Sequence, residues 1–151
     1  MNGFFIIDFK IPGKPVALKR HRTVRIGDFN KNYDPSEGDK KDFLVLAMGN
    51  KPNIPLDEPL YVKLTFCFPR PKAHFRTGKN SHLLKDSAPK WHTGTPDCDN
   101  LIKFVCDSLN GIFWKDDKCI CSVSAEKIYE IDGITPHIHV QVKKIYPQSR
   151  A

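Results

Sequence analysis

Three aspartates and one lysine lie in and around a short apolar segment in the second half of the chain. Asp97 and Asp99 precede the segment, Lys103 lies within it and Asp117 follows it. Asp97 follows Pro96 and is expected to be extended, and in an extended chain side chains two residues apart point the same way. Two adjacent carboxylates repel each other unless a cation lies between them, and such hard oxygen ligands suit Mg²⁺. The spacing therefore predicts a metal site.

The apolar residues of this segment recur at helical spacing, which predicts a helix from about Asp99 to Asn110. Such a helix rises roughly 16 Å at about 1.5 Å per residue. The residues from Asn110 to Asp117 reach roughly 23 Å if they are nearly extended. The chain can therefore bring Asp117 back beside Asp99, provided that residues 111–115 run back along the helix. The predicted apolar stripe consists of Leu101, Phe104, Val105 and Leu109.

The elements that must position these acids can be predicted from the rest of the chain. Alternating apolar residues predict four strands, and early acids followed by apolar residues predict a second helix. The turn at Asp132-Gly133 predicts that the last two strands pair antiparallel. The order predicts one α/β domain (α+β) over residues 1–151, with a small mixed or antiparallel sheet of about four strands and two main helices. The expected strands are Phe4–Ile11, Leu60–Phe68, Ile120–Tyr129 and His137–Tyr146, and the second helix is Pro35–Met48.

Positive charge is concentrated in two segments of a chain whose formal net charge is +7. Residues 14–25 carry five Lys or Arg and no acid, and we expect a loop there, followed by an irregular stretch at 27–34. A long loop at about 70–95 carries six Lys or Arg against one acid. Such segments indicate a polyanionic partner, although a solvated surface is the alternative. The candidate DNA contacts are Lys19, Arg20, Arg22, Arg25, Arg70, Lys72, Arg76, Lys79, Lys85 and Lys90.

The five cysteines form no familiar disulfide or zinc framework, which favours free thiols in a reducing compartment. No apolar run approaches the roughly 18 residues of a membrane span, and the N-terminus lacks the basic region of a signal peptide. We therefore expect a cytoplasmic, soluble protein without a membrane partner or a small-molecule cofactor.

The acidic segment resembles the sequence pattern of the RusA-type Holliday junction resolvases, which are crossover junction endodeoxyribonucleases. The resemblance rests on D-C-D-N-L-I-K at 97–103, D-S-L-N-G-I-F-W at 107–114 and D-D-K-C-I at 116–120. It is specific over these residues and looser along the rest of the chain. It implies a RusA-like fold and a homodimeric, Mg²⁺-dependent endonuclease, with Mn²⁺ as a possible substitute. The implied substrate is branched DNA, a four-way junction resolved by paired symmetric nicks in recombination and repair.

The resemblance also implies roles for individual residues. Asp97, Asp99 and Asp117 match the metal-binding catalytic acids of the family, and Lys103 matches its helix lysine. Asn100 and Asp116 adjoin these residues and are expected to support them.

Other interpretations of the same residues stay open. Asp99 could serve only as a helix cap. A flap or fork nuclease of the same fold is the alternative within the same class, and a non-catalytic nucleic-acid-binding module is the alternative outside it. A third interpretation is a zinc protein that uses Cys98, Cys106 or the pair His137 and His139, which share a strand face.

Overall fold

A four-stranded mixed sheet, with two helices on one of its faces, makes up the main body of the structure. The structure is a computed structural model that describes residues 4–146. The sheet has the strand order β1-β6-β4-β5, in which β5 is parallel to β4 and the other neighbours are antiparallel. In chain order the elements are β1 (Ile7–Pro12), β2 (Arg22–Ile26), β3 (Phe29–Tyr33), α1 (Glu37–Ala47), β4 (Leu60–Phe68), α2 (Cys98–Leu109), β5 (Ile120–Tyr129) and β6 (His137–Lys144). This agrees with the predicted fold class.

Strict alternation of apolar and polar residues decides which face of the sheet the helices cover. Each of the three strands β1, β4 and β6 buries every second side chain, because side chains alternate between the faces of a strand. Registered pairs such as Leu64 with Val140 and Val62 with Val142 bring these buried side chains together. On the opposite face Asp8 and Lys10 of β1 are exposed, whereas Cys67 of β4 and Lys143 of β6 are buried.

The two helices pack against this apolar face and against each other. The rings of Phe43 on α1 and Phe104 on α2 meet edge to face, with centroids 5.7 Å apart. The predicted stripe of α2 is completely buried, and each such side chain contributes roughly 1.5–3 kcal/mol. The observed helices differ from the predicted ones by only one or two residues at their ends. No helix within residues 4–146 is both long and apolar enough to cross a membrane.

The predicted pairing of the last two strands is wrong. The chain passes through the turn at Asp132-Gly133, but β6 does not pair with β5, because β4 lies between them. The apolar character of the two strands explains the order. Ile138, Val140 and Val142 of β6 are buried and suit a central strand, whereas Ser122 and Ser124 of β5 are exposed and suit an edge.

The basic segment forms a β-hairpin that the sequence prediction had treated as a loop and an irregular stretch. Strands β2 and β3 form their own two-stranded sheet, joined by a two-residue turn at Gly27-Asp28. Gly27 has φ +59°, a conformation that glycine adopts without strain and that such tight hairpin turns require. All residues of both strands are exposed.

The long segment at about 70–95 is attached to the edge of the sheet. The backbone N–H of His92 donates to the carbonyl of Lys127 at 3.0 Å, and the N–H of Tyr129 donates to the carbonyl of Lys90 at 2.9 Å. The guanidinium of Arg70 closes the segment by donating to the carbonyls of Pro89 and Glu130, each at 2.7 Å. The segment therefore covers the second half of the β5 edge, and the first half stays unpaired among the described residues.

Candidate active site

Asp97 and Asp99 lie at the N-terminus of α2. The backbone of Asp97 is extended, with φ −72° and ψ 150°, as predicted, and its carbonyl accepts the N–H of Leu101 at 3.2 Å. The side chain of Asp97 makes no capping hydrogen bond. Both carboxylates are exposed, and neither forms an ion pair with any residue between 4 and 146. They are free to bind a cation.

Lys127 fixes this end of the helix to β5. Its Nζ donates to the carbonyl of Gly94 at 2.5 Å and to the carbonyl of Pro96 at 2.7 Å. The N-terminus of α2 therefore lies over the C-terminal half of β5. Since the chain returns from the far end of α2 into Ile120, where β5 begins, α2 and β5 run in opposite directions.

Asp117 lies at the other end of α2 and is held by Trp114. The indole N–H of the fully buried Trp114 donates to Oδ1 of Asp117 at 2.7 Å. Burial raises the pKa of Asp117, the nearby charges of Asp107 and Asp116 raise it further, and the Trp114 hydrogen bond opposes the shift. Among residues 4–146, no lysine or arginine forms an ion pair with Asp117. This crowding of carboxylates is an environment that a cation would stabilise.

The chain after α2 does not run back along the helix. The N–H groups of Ile112 and Phe113 both donate to the carbonyl of Leu109, at 3.1 and 2.9 Å, and Gly111 donates to the carbonyl of Trp114 at 2.8 Å. Residues 111–115 therefore form a tight turn rather than the nearly extended return that the sequence required.

The predicted acids thus fall into two groups within one chain. Asp107, whose charge acts on Asp117, is eight residues beyond Asp99, which is roughly 12 Å of helix rise. Between residues 4 and 146, no three His, Cys, Asp or Glu side chains are grouped so that they could hold a metal ion. Each group offers the hard carboxylate oxygens that Mg²⁺ prefers. Within one chain the two groups of acids are therefore separate.

Asp107 is an acid of α2 that the sequence analysis did not include in the site. The structure brings it close enough to Asp117 for its charge to raise the pKa of that carboxyl, and the charges of both acids raise the pKa of the Cys106 thiol. A signal was present in the spacing, because Asp107 follows Lys103 by four residues and therefore lies on the same side of α2.

Lys103 is exposed and lies between the two acidic groups on α2. It forms no ion pair with Asp99 or Asp107, nor with any other acid in the described part of the chain. A purely structural role as an ion-pair partner of Asp99 is therefore not realised. The ammonium group is free to contact a bound anion.

The two residues expected to support the acids have backbone roles here. The carbonyl of Asn100 accepts the N–H of Leu18 at 3.3 Å, which holds the basic segment beside the N-terminus of α2. Oδ1 of Asp116 accepts the N–H of Lys118 at 3.0 Å and caps the short turn of 3₁₀ helix that contains Asp117.

The zinc interpretation finds no grouped set of ligands among residues 4–146. Burial raises the pKa of the Cys106 thiol to about 12, with the charges of Asp117 and Asp107 adding to the shift, so this cysteine stays protonated. Nδ1 of His137 contacts the carbonyl of Thr135 at 2.7 Å. Nε2 of His139 contacts Oδ1 of Asp8 at 2.6 Å. One nitrogen of each ring is thus already engaged.

The predicted DNA contacts differ in whether their charged groups already interact with other groups of the protein. Arg70 is half-buried and bonded within its own segment, and Arg76 pairs with Asp86 at 3.3 Å. The ammonium of Lys90 lies over the Trp91 ring, 4.7 Å from its centroid. Lys19 lies 3.7 Å from Asp39 in an exposed pair. The others are exposed and, in the part of the chain that the structure describes, form no ion pair: Arg20, Arg22, Arg25, Lys72, Lys79 and Lys85.

The protein is a small α+β domain with acids at both ends of α2. The family model described as Endodeoxyribonuclease RusA matches residues 12–143, which is nearly the whole chain, and the protein belongs to this family. The chain is also similar to "Uncharacterized protein YqaN" of Bacillus subtilis (strain 168). The two are 28% identical over 145 residues, which cover 92% of this chain and 96% of the relative. The family is one of Holliday junction resolvase-type endonucleases, which act on branched DNA.

Proposed function

We propose that this protein is a Mg²⁺-dependent endonuclease that resolves four-way DNA junctions by paired symmetric nicks. One observation carries the proposal. Asp97, Asp99 and Asp117, the acids that match the family pattern, form no ion pair with any described residue, although the chain has 24 Lys and Arg against 17 Asp and Glu. Carboxylates left unpaired in so basic a protein indicate a site for a cation.

The separation of the acids supports a homodimeric active site. Metal ligands must lie within a few ångströms of one ion, whereas Asp99 and the neighbourhood of Asp117 are separated by roughly 12 Å of helix rise in one chain. We infer that Asp97 and Asp99 of one subunit bind the metal together with the partner subunit's Asp117. A dimer with a two-fold axis then has two identical sites, as two matched nicks require.

The unpaired first half of β5 offers a surface for such a dimer. An exposed strand edge carries free N–H and C=O groups that readily pair with another strand. Two copies of β5 that pair antiparallel around Val123 place Ile120 of each strand opposite Glu126 of the other. Since α2 runs opposite to β5, this arrangement turns Asp117 of each subunit toward Asp97 of the other.

The side chains around the acids have separate tasks in the proposed reaction. Mg²⁺, when bound, polarises the scissile phosphate and makes a water molecule a better nucleophile. Trp114 holds one oxygen of Asp117 and leaves the other carboxylate oxygen for the metal. Lys103 has a free ammonium one turn beyond Asp99, from which it can stabilise negative charge on the phosphate. Mn²⁺ is expected to replace Mg²⁺, because it accepts the same oxygen ligands.

The basic segments supply the remaining affinity. The exposed cations at 19–25 are held beside the N-terminus of α2 by the bond between Leu18 and Asn100, so they adjoin the proposed cleavage site. Contacts of this kind release counterions from DNA, and the binding constant should therefore fall steeply as salt rises.

The proposal is tested by cleavage of a synthetic four-way junction, a flap and a linear duplex with Mg²⁺, with the nick positions mapped. We expect symmetric paired nicks in the junction only. Asp99→Asn should abolish cleavage and retain binding, and Asp132→Asn, in the exposed turn before β6, is the matched control that should remain active. Preferred cleavage of the flap would identify a flap nuclease. DNA binding without nicks in any divalent metal would identify a non-catalytic module.

A further inference from the structure

The β2–β3 hairpin exposes an apolar face that no other described element covers. Directly opposed residues of an antiparallel pair share a face, and the register pairs Val24 with Lys31 and Ile26 with Phe29. Val24, Ile26 and Phe29 are 45%, 46% and 64% exposed. A two-stranded hairpin is only marginally stable in water. Exposing these apolar side chains to water costs free energy unless a partner covers them.

The apolar residues are concentrated at the tip of the hairpin. Ile26 and Phe29 flank the two-residue turn, so that the narrowest part of the hairpin ends in an aliphatic and an aromatic side chain. The other face is polar, and Oγ1 of Thr23 lies 2.7 Å from Oδ1 of Asn32 across the strands. The hairpin is thus amphipathic, with an apolar tip.

Positive charge surrounds this tip and identifies the kind of partner. Arg22, Arg25 and Lys31 are exposed on the hairpin, against the single acid Asp28 at its turn. Two such hairpins would repel each other, which argues against a second copy of this chain as the partner. A ribbon of two strands fits the major groove of DNA, and cationic side chains beside it can contact phosphates.

Resting on the proposed function, we propose that the hairpin inserts Phe29 against the bases at the branch point of a DNA junction. Apolar wedges of this kind unstack base steps in other DNA-binding proteins. At a branch point the base stack is already interrupted, so the free energy of unstacking is smallest there. Leu18, four residues before β2, is bonded to Asn100 near the N-terminus of α2, and this connection links the hairpin to the proposed metal site.

The experiment measures binding of a four-way junction that carries 2-aminopurine at the branch point, with Ca²⁺ in place of Mg²⁺. The wild-type protein should raise the fluorescence by unstacking the base. Phe29→Ala should remove that rise and weaken junction binding roughly tenfold, because stacking of one base on an aromatic ring has about this effect, and should leave duplex binding unchanged. Phe29→Trp should retain both signals. Ile54→Ala, a similarly exposed apolar residue outside the hairpin, is the matched control and should match the wild type.

Two results would overturn the inference. In one, Phe29→Ala binds the junction and unstacks the base as the wild type does. In the other, light scattering shows that Phe29→Ala changes the oligomeric state, which would mean that a second copy covers the face. Failure of the proposed nuclease function appears separately, because the wild type would then bind and unstack the junction with Ca²⁺ but make no nicks with Mg²⁺.

Discussion

Mixing two inactive variants tests whether the acids of one active site come from two subunits. Asp99→Asn and Asp117→Asn each remove one carboxylate ligand and should each reduce cleavage more than about 100-fold. In a two-fold dimer with shared sites, a mixed dimer has one site that lacks both carboxylates and one site that is intact. Random exchange of subunits makes about half of the dimers mixed, so nicking should return to about a quarter of the wild-type rate.

The products should differ from those of the wild type as well as the rate. A mixed dimer has only one working site, so it should leave a singly nicked junction instead of two resolved duplexes. The assay follows labelled junction strands on native and denaturing gels after the two variants have been unfolded and refolded together.

The matched control mixes Asp99→Asn with Asp97→Asn. Both substitutions affect the same group of acids, so no mixed dimer contains an intact site and the mixture should stay inactive. The reasoning is refuted if differently tagged subunits are seen to exchange while the mixture of Asp99→Asn and Asp117→Asn remains inactive. The acids would then act within a single chain.

Two further predictions concern Asp117 and its hydrogen-bond partner Trp114. Asp117→Asn should raise the midpoint of thermal unfolding at neutral pH, because the pKa of this carboxyl is raised and its ionised form is therefore destabilising. The gain should vanish as the pH falls through that raised pKa toward the ordinary carboxyl value, and melting curves across the pH range measure it. Trp114→Phe removes a hydrogen bond to a charged group, worth about 1.5–3 kcal/mol, and should weaken Mn²⁺ binding by roughly tenfold or more in calorimetry. Unchanged Mn²⁺ affinity in a folded variant would contradict the positioning role of Trp114.

Long periodic segments were predictable from sequence, whereas pairing between distant strands was not. The stripe on α2 and the alternation in β4 follow directly from local spacing. The position of β4 between β5 and β6 depends on packing over the whole sheet, which a local turn at Asp132-Gly133 does not reveal. The hairpin was missed because Arg22 and Lys31 interrupt its apolar face, which no core requires.

The candidate acids could be picked out from the sequence, but their arrangement could not. Asp97, Asp99 and Asp117 stand out by type and spacing, and chain length allowed them to meet. The tight turn after Leu109 prevents this, and it depends on hydrogen bonds to one carbonyl that no spacing rule predicts. The nearness of the Asp107 charge to Asp117 follows from the same turn.

The central position of β6 affects how the newly synthesised chain folds. β6 pairs with β1 on one side and with β4 on the other. Val142 of β6 therefore lies opposite Ile7 on one side and opposite Val62 on the other. During synthesis, the ribosome must release the chain through Lys144 before β1 or β4 can pair with β6. Until then one edge of β4 stays unpaired and open to chaperones and proteases. Contacts so distant in sequence are typical of slow folders. We therefore expect the newly made chain to become protease-resistant in a single late step, after β6 has emerged from the ribosome.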